Sequence, residues 1–392
     1  MDEVVINKEE NNIAIILSGR VDSVFATNHQ DEIYFSIDQN SDLTLDFTNV
    51  EYISSAGLRI VLKCAKIAKS INVIEINESV YEVFSMSGFT EIINLERAKR
   101  ELSIEGKELI GEGANGKVYR YDIDTIIKVY KDSSHMEYIE NEISMSKKAF
   151  ILGVPTAIPF DIVKIKEGGY GAVYELLKSD VLSSLIAKYP EKTAYFTKLF
   201  AEALSKFLHS ETYDETLPKK IDYPNSWVTF LDENHIFSDE VMDKVRALLK
   251  TVEVGHTLVH GDFHIKNVML QNEEPIIIDM DTLGVGHPIF ELTYTFYSMV
   301  EFDKIRPEKS LLFFGIPYDV VSKIYYDTFN MIFKDKNEEE KKDIQSKITF
   351  LANLRIAYRT HHNLPLDPEK GAVAIKYVNE HIDELTTLDF KL

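Results

Sequence analysis

Between Leu258 and Leu270 the chain reads LVHGDFHIKNVML, with Asp262 and Asn267 in a polar stretch that has apolar residues on both sides. The stretch is too polar for a core strand. Its flanks, Thr257-Leu258-Val259 and Val268-Met269-Leu270, have the composition of short strands. A polar loop pinned at both ends holds its side chains still, and such loops carry chemistry. Further on, "PIIIDMD" is an apolar run, Ile276 to Ile278, that ends in Asp279 and Asp281. Which chemistry these residues serve depends on the elements that position them.

A second candidate is "LIGEGANGKVYRYDIDTIIKVYK", residues 109–131, whose Gly111, Gly113 and Gly116 fall in G-x-G-x-x-G order. A dinucleotide fold would open a helix at the third glycine. Here the strand-like "KVYRYD" follows, then a turn at 122–124 and a second strand, "TIIKVYK". A glycine-rich hairpin followed by a strand that carries a lysine resembles protein-kinase-like folds. In that resemblance Gly111, Gly113 and Gly116 approach the phosphates of ATP, Val118 lies on the nucleotide, and Lys128 holds the α- and β-phosphates. Lys128 sits inside an apolar Ile-Ile-Lys-Val, which argues against a merely solvated lysine. Its expected carboxylate partner is Glu142 on the next helix, with Glu140 as second choice. The hinge that meets the adenine is expected at Glu175-Leu176-Leu177. Asp262 would accept the proton of the acceptor hydroxyl, and Asn267 and Asp279 would hold Mg²⁺. His260 would brace the loop, His264 would line the site or pack, and Asp281 would be a metal contact or a turn residue. Phosphoryl transfer asks of a protein mostly positioning and charge neutralisation.

"HGDFHIKN" with "IDMD" and the later "GHPIFEL" resembles the aminoglycoside phosphotransferase/choline kinase-like superfamily over about 105–300. The chain departs from eukaryotic-type protein kinases, having His-Gly-Asp for His-Arg-Asp and neither Asp-Phe-Gly nor Ala-Pro-Glu. Its glycine loop is closer to a protein kinase's than to that of many antibiotic kinases. The resemblance implies a small-molecule hydroxyl as acceptor, bound among the amphipathic helices beyond 300, which carry no motif.

Composition sets limits on the whole. The chain has 392 residues, 45% of them hydrophobic, and a formal net charge of −21, which implies two or three domains with substantial cores. That charge argues against nucleic acid as a partner. It is spread along the chain, with −7 in the first hundred residues. The single cysteine, Cys64, rules out an intrachain disulfide and is expected to be a small buried apolar residue in a reducing, cytoplasmic setting. No apolar run has the ~18 residues of a membrane span, and the acidic start MDEVVINKEE has no signal-like core.

Residues 1–100 alternate strand-like and helix-like stretches, which implies an α/β layered domain. "EVVINKEE" and "NIAIILSG" are strands about a turn at Asn11-Asn12. "DLTLDFTNV" and "NVIEINE" are strands. "SSAGLRIVLKCAKIAKS" is a helix with an apolar face near 58, 61, 62 and 65, and "SVYEVFSMSGFTE" is a short helix. "FTNVEYISSAGLRIVL" followed by "SVYEVFSMSGFTEIINL" resembles the STAS domain of bacterial anti-sigma-factor antagonists. That family carries a phosphorylated serine at the start of this helix, which corresponds to Ser55. It usually has Asp-Ser-Ser/Thr-Gly, where this chain has Ser54-Ser55-Ala56-Gly57. Either serine would also cap the helix.

The charged stretch 96–108, without apolar periodicity, is expected to hold the junction, with helix as one option for it. The expected organisation is therefore an α/β STAS-like domain over 1–100, a junction over 101–108 and an α+β bilobal kinase-like domain. Its N-lobe covers 109–178 and its C-lobe 179–392. The expected function is ATP- and Mg²⁺-dependent phosphoryl transfer to a small-molecule hydroxyl, with a STAS module that is regulatory or binds a protein partner. The rivals are a protein serine kinase acting on its own or a partner's STAS domain, and a nucleotide-binding scaffold without turnover.

Overall fold

The computed structural model describes residues 3–113, 116–131, 136–362 and 368–392. The chain forms two compact units, 1–103 with 163–168, and 104–162 with 169–392.

The first unit is built on β1 (Glu3–Glu9), β2 (Asn12–Val21), α1 (Ser23–Ser36), β3 (Asp42–Ile53), α2 (Ser55–Ile67), β4 (Ser70–Ile76), α3 (Glu78–Met86) and β5 (Asn94–Arg97). The strands lie in the order β1-β2-β3-β4-β5. The β1–β2 pair is antiparallel and the other pairs are parallel. Strand alternation fixes the core side: Ile13, Ile15 and Leu17 of β2 are buried, with Leu43, Leu45 and Phe47 of β3 beside them. A short strand, β6 (Glu101–Leu102), pairs in parallel with the segment at Lys164 and Ile165.

Four local features differ from the sequence reading. The β1–β2 turn is at Glu10 and Asn11, one residue early, with Glu10 in the left-handed region at φ 54°. Helix α1 was not foreseen, because its Asn, His, Gln and Asp residues give it no clear apolar stripe; Asp22 caps it by accepting from Val24 N and Phe25 N. The 96–108 stretch is extended rather than helical, its middle claimed by the β6 ladder.

The buried line of α2 is Gly57, Ile60, Val61 and Cys64, with Leu58, Leu62 and Ala65 packed at its margin. The face is turned from the expected one because Gly57 lets the helix press onto the sheet. A Cβ there would stand 2.4 Å from Val21 O and 2.7 Å from Ile53 Cγ1. Cys64 is buried, and burial pushes its thiol up to about 12.

The second unit begins with β7 (Glu108–Glu112), β8 (Gly116–Arg120), β9 (Thr125–Tyr130), α4 (Met136–Ile151), the start of β10 (Pro159–Ile165, of which 163–165 count with the first unit) and β11 (Tyr170–Glu175), the strands ordered β10-β11-β9-β8-β7. Then come α5 (Leu182–Lys188), α6 (Thr193–Leu208), α7 (Asp222–Glu233), α8 (Asp239–Leu249), β12 (Thr257–Val259), β13 (Val268–Gln271), β14 (Glu274–Ile277) and β15 (Gly284–Gly286). The rest is helical: α9 (Pro288–Phe296), α10 (Glu308–Phe314), α11 (Tyr318–Ile332), α12 (Glu338–His361) and α13 (Pro368–His381). A single apolar cluster runs from Phe200 and Phe207 of α6 through Phe263 and Ile265 to Leu351 and Leu354 of α12. The polar loop between β12 and β13 therefore rests on the largest core of the molecule.

No helix among the described residues is long and apolar enough to cross a membrane.

Candidate active site

The loop of residues 260–267 is held from below by backbone bonds. His260 is fully buried. Its Nδ1 accepts from Asp262 N at 3.2 Å and its Nε2 faces Ile278 O at 3.0 Å. An acceptor at Nδ1 and a donor at Nε2 define one neutral tautomer, so the ring is a strut between the loop and the end of β14. Thr282 Oγ1 donates to His260 O at 2.6 Å. Asn267 Nδ2 donates to Asp262 O at 2.9 Å and stands 3.4 Å from Asp262 Oδ2. The amide oxygen of Asn267 has no hydrogen-bond partner among the described residues. The Asp262 side chain is 44% exposed, so the carboxylate is open to an incoming group while its backbone is fixed. His264 is buried against Phe313 and Phe314, with Nε2 3.5 Å from Asp262 Oδ2. Burial holds its imidazole below the usual value.

Lys128 on β9 reaches into the same region. Its Nζ donates to Glu142 Oε1 at 2.6 Å and lies 3.6 Å from Asp279 Oδ1. Glu142 lies on the inner face of α4 with Ile139 and Ile143, whereas Glu140 is exposed. The helical phase thus separates the two candidates. Tyr174 OH also donates to Glu142 Oε1, at 3.1 Å. Burial pulls the Lys128 ammonium down, but the Asp279 and Glu142 carboxylates outweigh it and the net shift is upward. The lysine is charged.

Asp279 has φ 66° and ψ 63°, a left-handed conformation that costs a non-glycine residue energy and is kept where the surroundings demand it. Its Oδ1 is buried without a hydrogen-bond partner. Asp281 is tied to α4: Tyr138 OH donates to its Oδ2 at 2.8 Å and Asn141 Nδ2 to its backbone oxygen at 3.2 Å. Burial, and then Asp279, push the Asp281 carboxyl up to about 6.

In the glycine hairpin, Gly113 N donates to Gly116 O at 2.9 Å. The two residues between them lie outside the described residues. Gly116 is required by packing, since a Cβ would sit 2.3 Å from Val129 O on β9, whereas a Cβ on Gly113 would meet nothing within 4 Å. Val118 faces Lys128 across the β8–β9 ladder. Where β11 ends, Glu175 N bonds Ile158 O and Leu176 N bonds Asp124 O. Leu177 N–H has no partner among the described residues. The Glu175 carboxylate is taken by Ile158 N at 3.3 Å and Gln271 Nε2 at 3.4 Å.

In the first unit, Ser54 is the cap of α2, its Oγ accepting from Ala56 N at 3.1 Å. Ser55 is exposed at the first helical position.

Several residues of the site gave no clear signal in the sequence. Glu291 on α9 is fully buried beneath the loop, and its Oε2 accepts from both His260 N and Gly261 N. Burial raises its carboxyl. An acid in the middle of the apolar PIFELTYTF was the clue that could have found it. Lys220, also buried, donates to Thr282 O, and nothing in its sequence neighbourhood marks it. Tyr174 belongs to the same group.

The fold and the site together define a phosphotransferase. Residues 108–310 match the family described as "Phosphotransferase enzyme family", and the chain belongs to that family. Residues 3–102 match the STAS domain. Over 102 residues the chain is 30% identical to BtrV of Bordetella bronchiseptica, described as a candidate anti-sigma factor antagonist. That stretch is 25% of this chain and 88% of BtrV. Among solved structures, aminoglycoside phosphotransferase APH(4)-Ia in a ternary complex with ADP and hygromycin B is 13% identical with a TM-score of 0.46. The match covers 71% of this chain and 94% of that one. The gentamicin complex of APH(2")-IIa is 14% identical with a TM-score of 0.43, covering 76% and 95%. The two family matches and the order of elements give an α/β STAS-like domain followed by an α+β kinase-like domain.

Proposed function

We propose that the second unit transfers the γ-phosphoryl group of ATP to a hydroxyl of a small molecule, with 109–178 as its N-lobe and 179–392 as its C-lobe. The observation that carries this reading is the charged Lys128 held between Glu142 and Asp279, at 2.6 and 3.6 Å. A lysine fixed in this way is a preset counter-charge for a polyphosphate, which brings about four negative charges to the cleft. Gly111, Gly113 and Gly116 form the hairpin that covers the phosphates, Val118 packs on the nucleotide, and Leu177 N–H with the Glu175 backbone addresses the adenine. The acceptor oxygen forms its bond to the γ-phosphorus as the bond to the β–γ bridging oxygen breaks. ADP leaves with that electron pair, and the hydroxyl proton passes to Asp262.

The residues present suit Mg²⁺. Asn267 offers a free amide oxygen and Asp279 a buried oxygen with no hydrogen bond, hard donors of the kind Mg²⁺ takes in small number from a protein. Once bound there, the ion offsets phosphate charge. Asp279→Ala is accordingly expected to remove most of the thermal stabilisation given by Mg²⁺-ATP. For the parent this amounts to about 2.7 kcal/mol at a hundredfold excess over Kd. A mutant with the parent's full shift excludes Asp279 from the metal site. A parent with no shift at all removes the phosphotransferase reading.

The exposed Ser55 supports a second reading, a serine kinase that modifies this STAS domain or a partner's. We favour a STAS half that binds a protein partner, because Ser54 stands where the phosphorylated family has Asp. Incubation of the purified chain with Mg²⁺-ATP is expected to leave Ser55 without stoichiometric phosphate, as read by mass spectrometry. Stoichiometric phosphate there, absent in Asp262→Asn, reverses the order of the two readings.

A further inference from the structure

Helix α12 carries Arg355 and Arg359 one turn apart, toward aromatic rings of α9 and the turn that follows it. Arg355 Cζ lies 4.4 Å from the ring centre of Tyr294, 4.3 Å from that of Tyr297 and 5.8 Å from that of Trp227. Arg359 Cζ lies 5.8 Å from the Tyr297 ring centre. Residues Tyr297 to Glu301 form a π-helical turn, a geometry that recurs at functional sites. The Tyr297 phenol is raised by burial first; it also lies within electrostatic range of Arg355 and Arg359 and of Asp262. Glu291, one turn before Tyr294 on α9, accepts from His260 N and Gly261 N, so the rings that carry Arg355 belong to the helix that braces the catalytic loop.

Neither guanidinium has a carboxylate partner among the described residues. Arg355 Nη1 and Arg359 Nε are buried without a hydrogen bond. The nearby acids are engaged elsewhere. Asp303 pairs with Lys370 at 3.4 Å, Glu301 with Lys304 at 3.3 Å and Asn353 at 3.1 Å, and Glu291 with the His260 and Gly261 amides. Rings cover the faces of Arg355, and what a stacked guanidinium offers is its N–H edge, whose fork fits a carboxylate or a phosphate. Buried donors left unpaired cost free energy that a bound oxyanion would recover.

We propose, resting on the phosphotransferase reading above, that the acceptor is an anionic alcohol whose carboxylate or phosphate is bound by Arg355 and Arg359 while its hydroxyl meets Asp262. The site is thereby set against polycationic acceptors. The overall charge of −21 repels an anion at long range, so the arginines must supply the attraction locally.

The test is a panel of glycerate, glycerol 3-phosphate and glucose 6-phosphate against glycerol, glucose, choline and kanamycin. Phosphoryl transfer is measured with labelled ATP, and stabilisation of the chain is measured with each compound alone. Anionic members are expected to be phosphorylated and to stabilise, the carboxylate and phosphate arms telling the two oxyanions apart. Arg355→Gln and Arg359→Gln are each expected to lower kcat/KM for the anionic acceptor by about 10- to 100-fold, mainly through KM. Arg359→Lys should recover part of the loss, and retained Mg²⁺-ATP stabilisation shows that a variant is folded. Preferential transfer to a neutral or cationic member overturns the proposal, as does the absence of both transfer to and stabilisation by every anionic one. Failure of the parent to bind Mg²⁺-ATP strikes the phosphotransferase reading instead, and leaves anion binding to be judged by stabilisation alone.

Discussion

Asp262→Asn is expected to reduce phosphoryl transfer by about 10²–10⁴-fold, the usual range for loss of a general base, with Mg²⁺-ATP affinity changed only a few-fold. The substitution keeps the shape of the side chain. The loop has little reason to move, because Asp262 N still donates to His260 Nδ1 and Asn267 Nδ2 still donates to the residue 262 carbonyl. What is lost is an acceptor for the hydroxyl proton. Among the described residues the Asp262 carboxylate pairs with His264 and Asn267 and not with Lys128 or its two partners, so nucleotide binding is expected to be spared. Rapid-quench measurement of single turnovers together with a nucleotide titration separates the two effects. Transfer within about tenfold of the parent would falsify the assignment of Asp262 as base.

The second large effect is on stability. Glu291→Ala is expected to destabilise the second unit by about 3–5 kcal/mol, since two buried backbone donors lose their acceptor at about 1–3 kcal/mol each and a cavity opens beside them. Those donors are His260 N and Gly261 N. Glu291→Gln keeps an oxygen for both and is expected to cost much less. The pH dependence has a definite sign. Burial raises the Glu291 carboxyl in the folded chain, so between the unfolded carboxyl range and that raised value the folded state binds more protons. Its contribution therefore makes stability fall as pH rises through this window. Glu291→Gln removes that slope. Urea midpoints measured across the window check both points; equal midpoints for the Ala and Gln variants would show that the two amide bonds are not what holds the loop.

The parts of the site that could be read in the sequence are those whose spacing is local. Asp262 and Asn267 belong to one loop, and Asp279 ends an apolar strand a short way on. Glu142 was separable from Glu140 only by helical phase, which the run of Ile139, Ile143 and Ser146 already encodes. The bracing of His260 likewise follows from a loop that has to be fixed between two strands. By contrast, Arg355 and Arg359 lie in a 24-residue helix with basic and apolar residues around much of its circumference. Only its packing against Tyr294 and Tyr297, some sixty residues earlier in the chain, sets them apart. Helix α1 was hidden because its sequence lacks the periodic apolar stripe by which helices are recognised, and β6 because two residues carry no period at all. The glycine pattern was legible but mixed in meaning: Gly116 is fixed by the backbone of β9, while a Cβ on Gly113 would meet nothing within 4 Å among the described residues.

Helix α4 grips the site at three points. Glu142 holds Lys128, while Tyr138, one turn earlier, and Asn141, next to Glu142, hold the side chain and the backbone of Asp281, two residues beyond Asp279. The lysine and the strained aspartate thus share one rigid lever. A push on α4 of even an ångström or two would disengage both together, so intermediate states with one in place and the other lost are disfavoured. Any effector that grasps this helix from outside would act as a switch on the whole centre rather than as a dimmer on one residue.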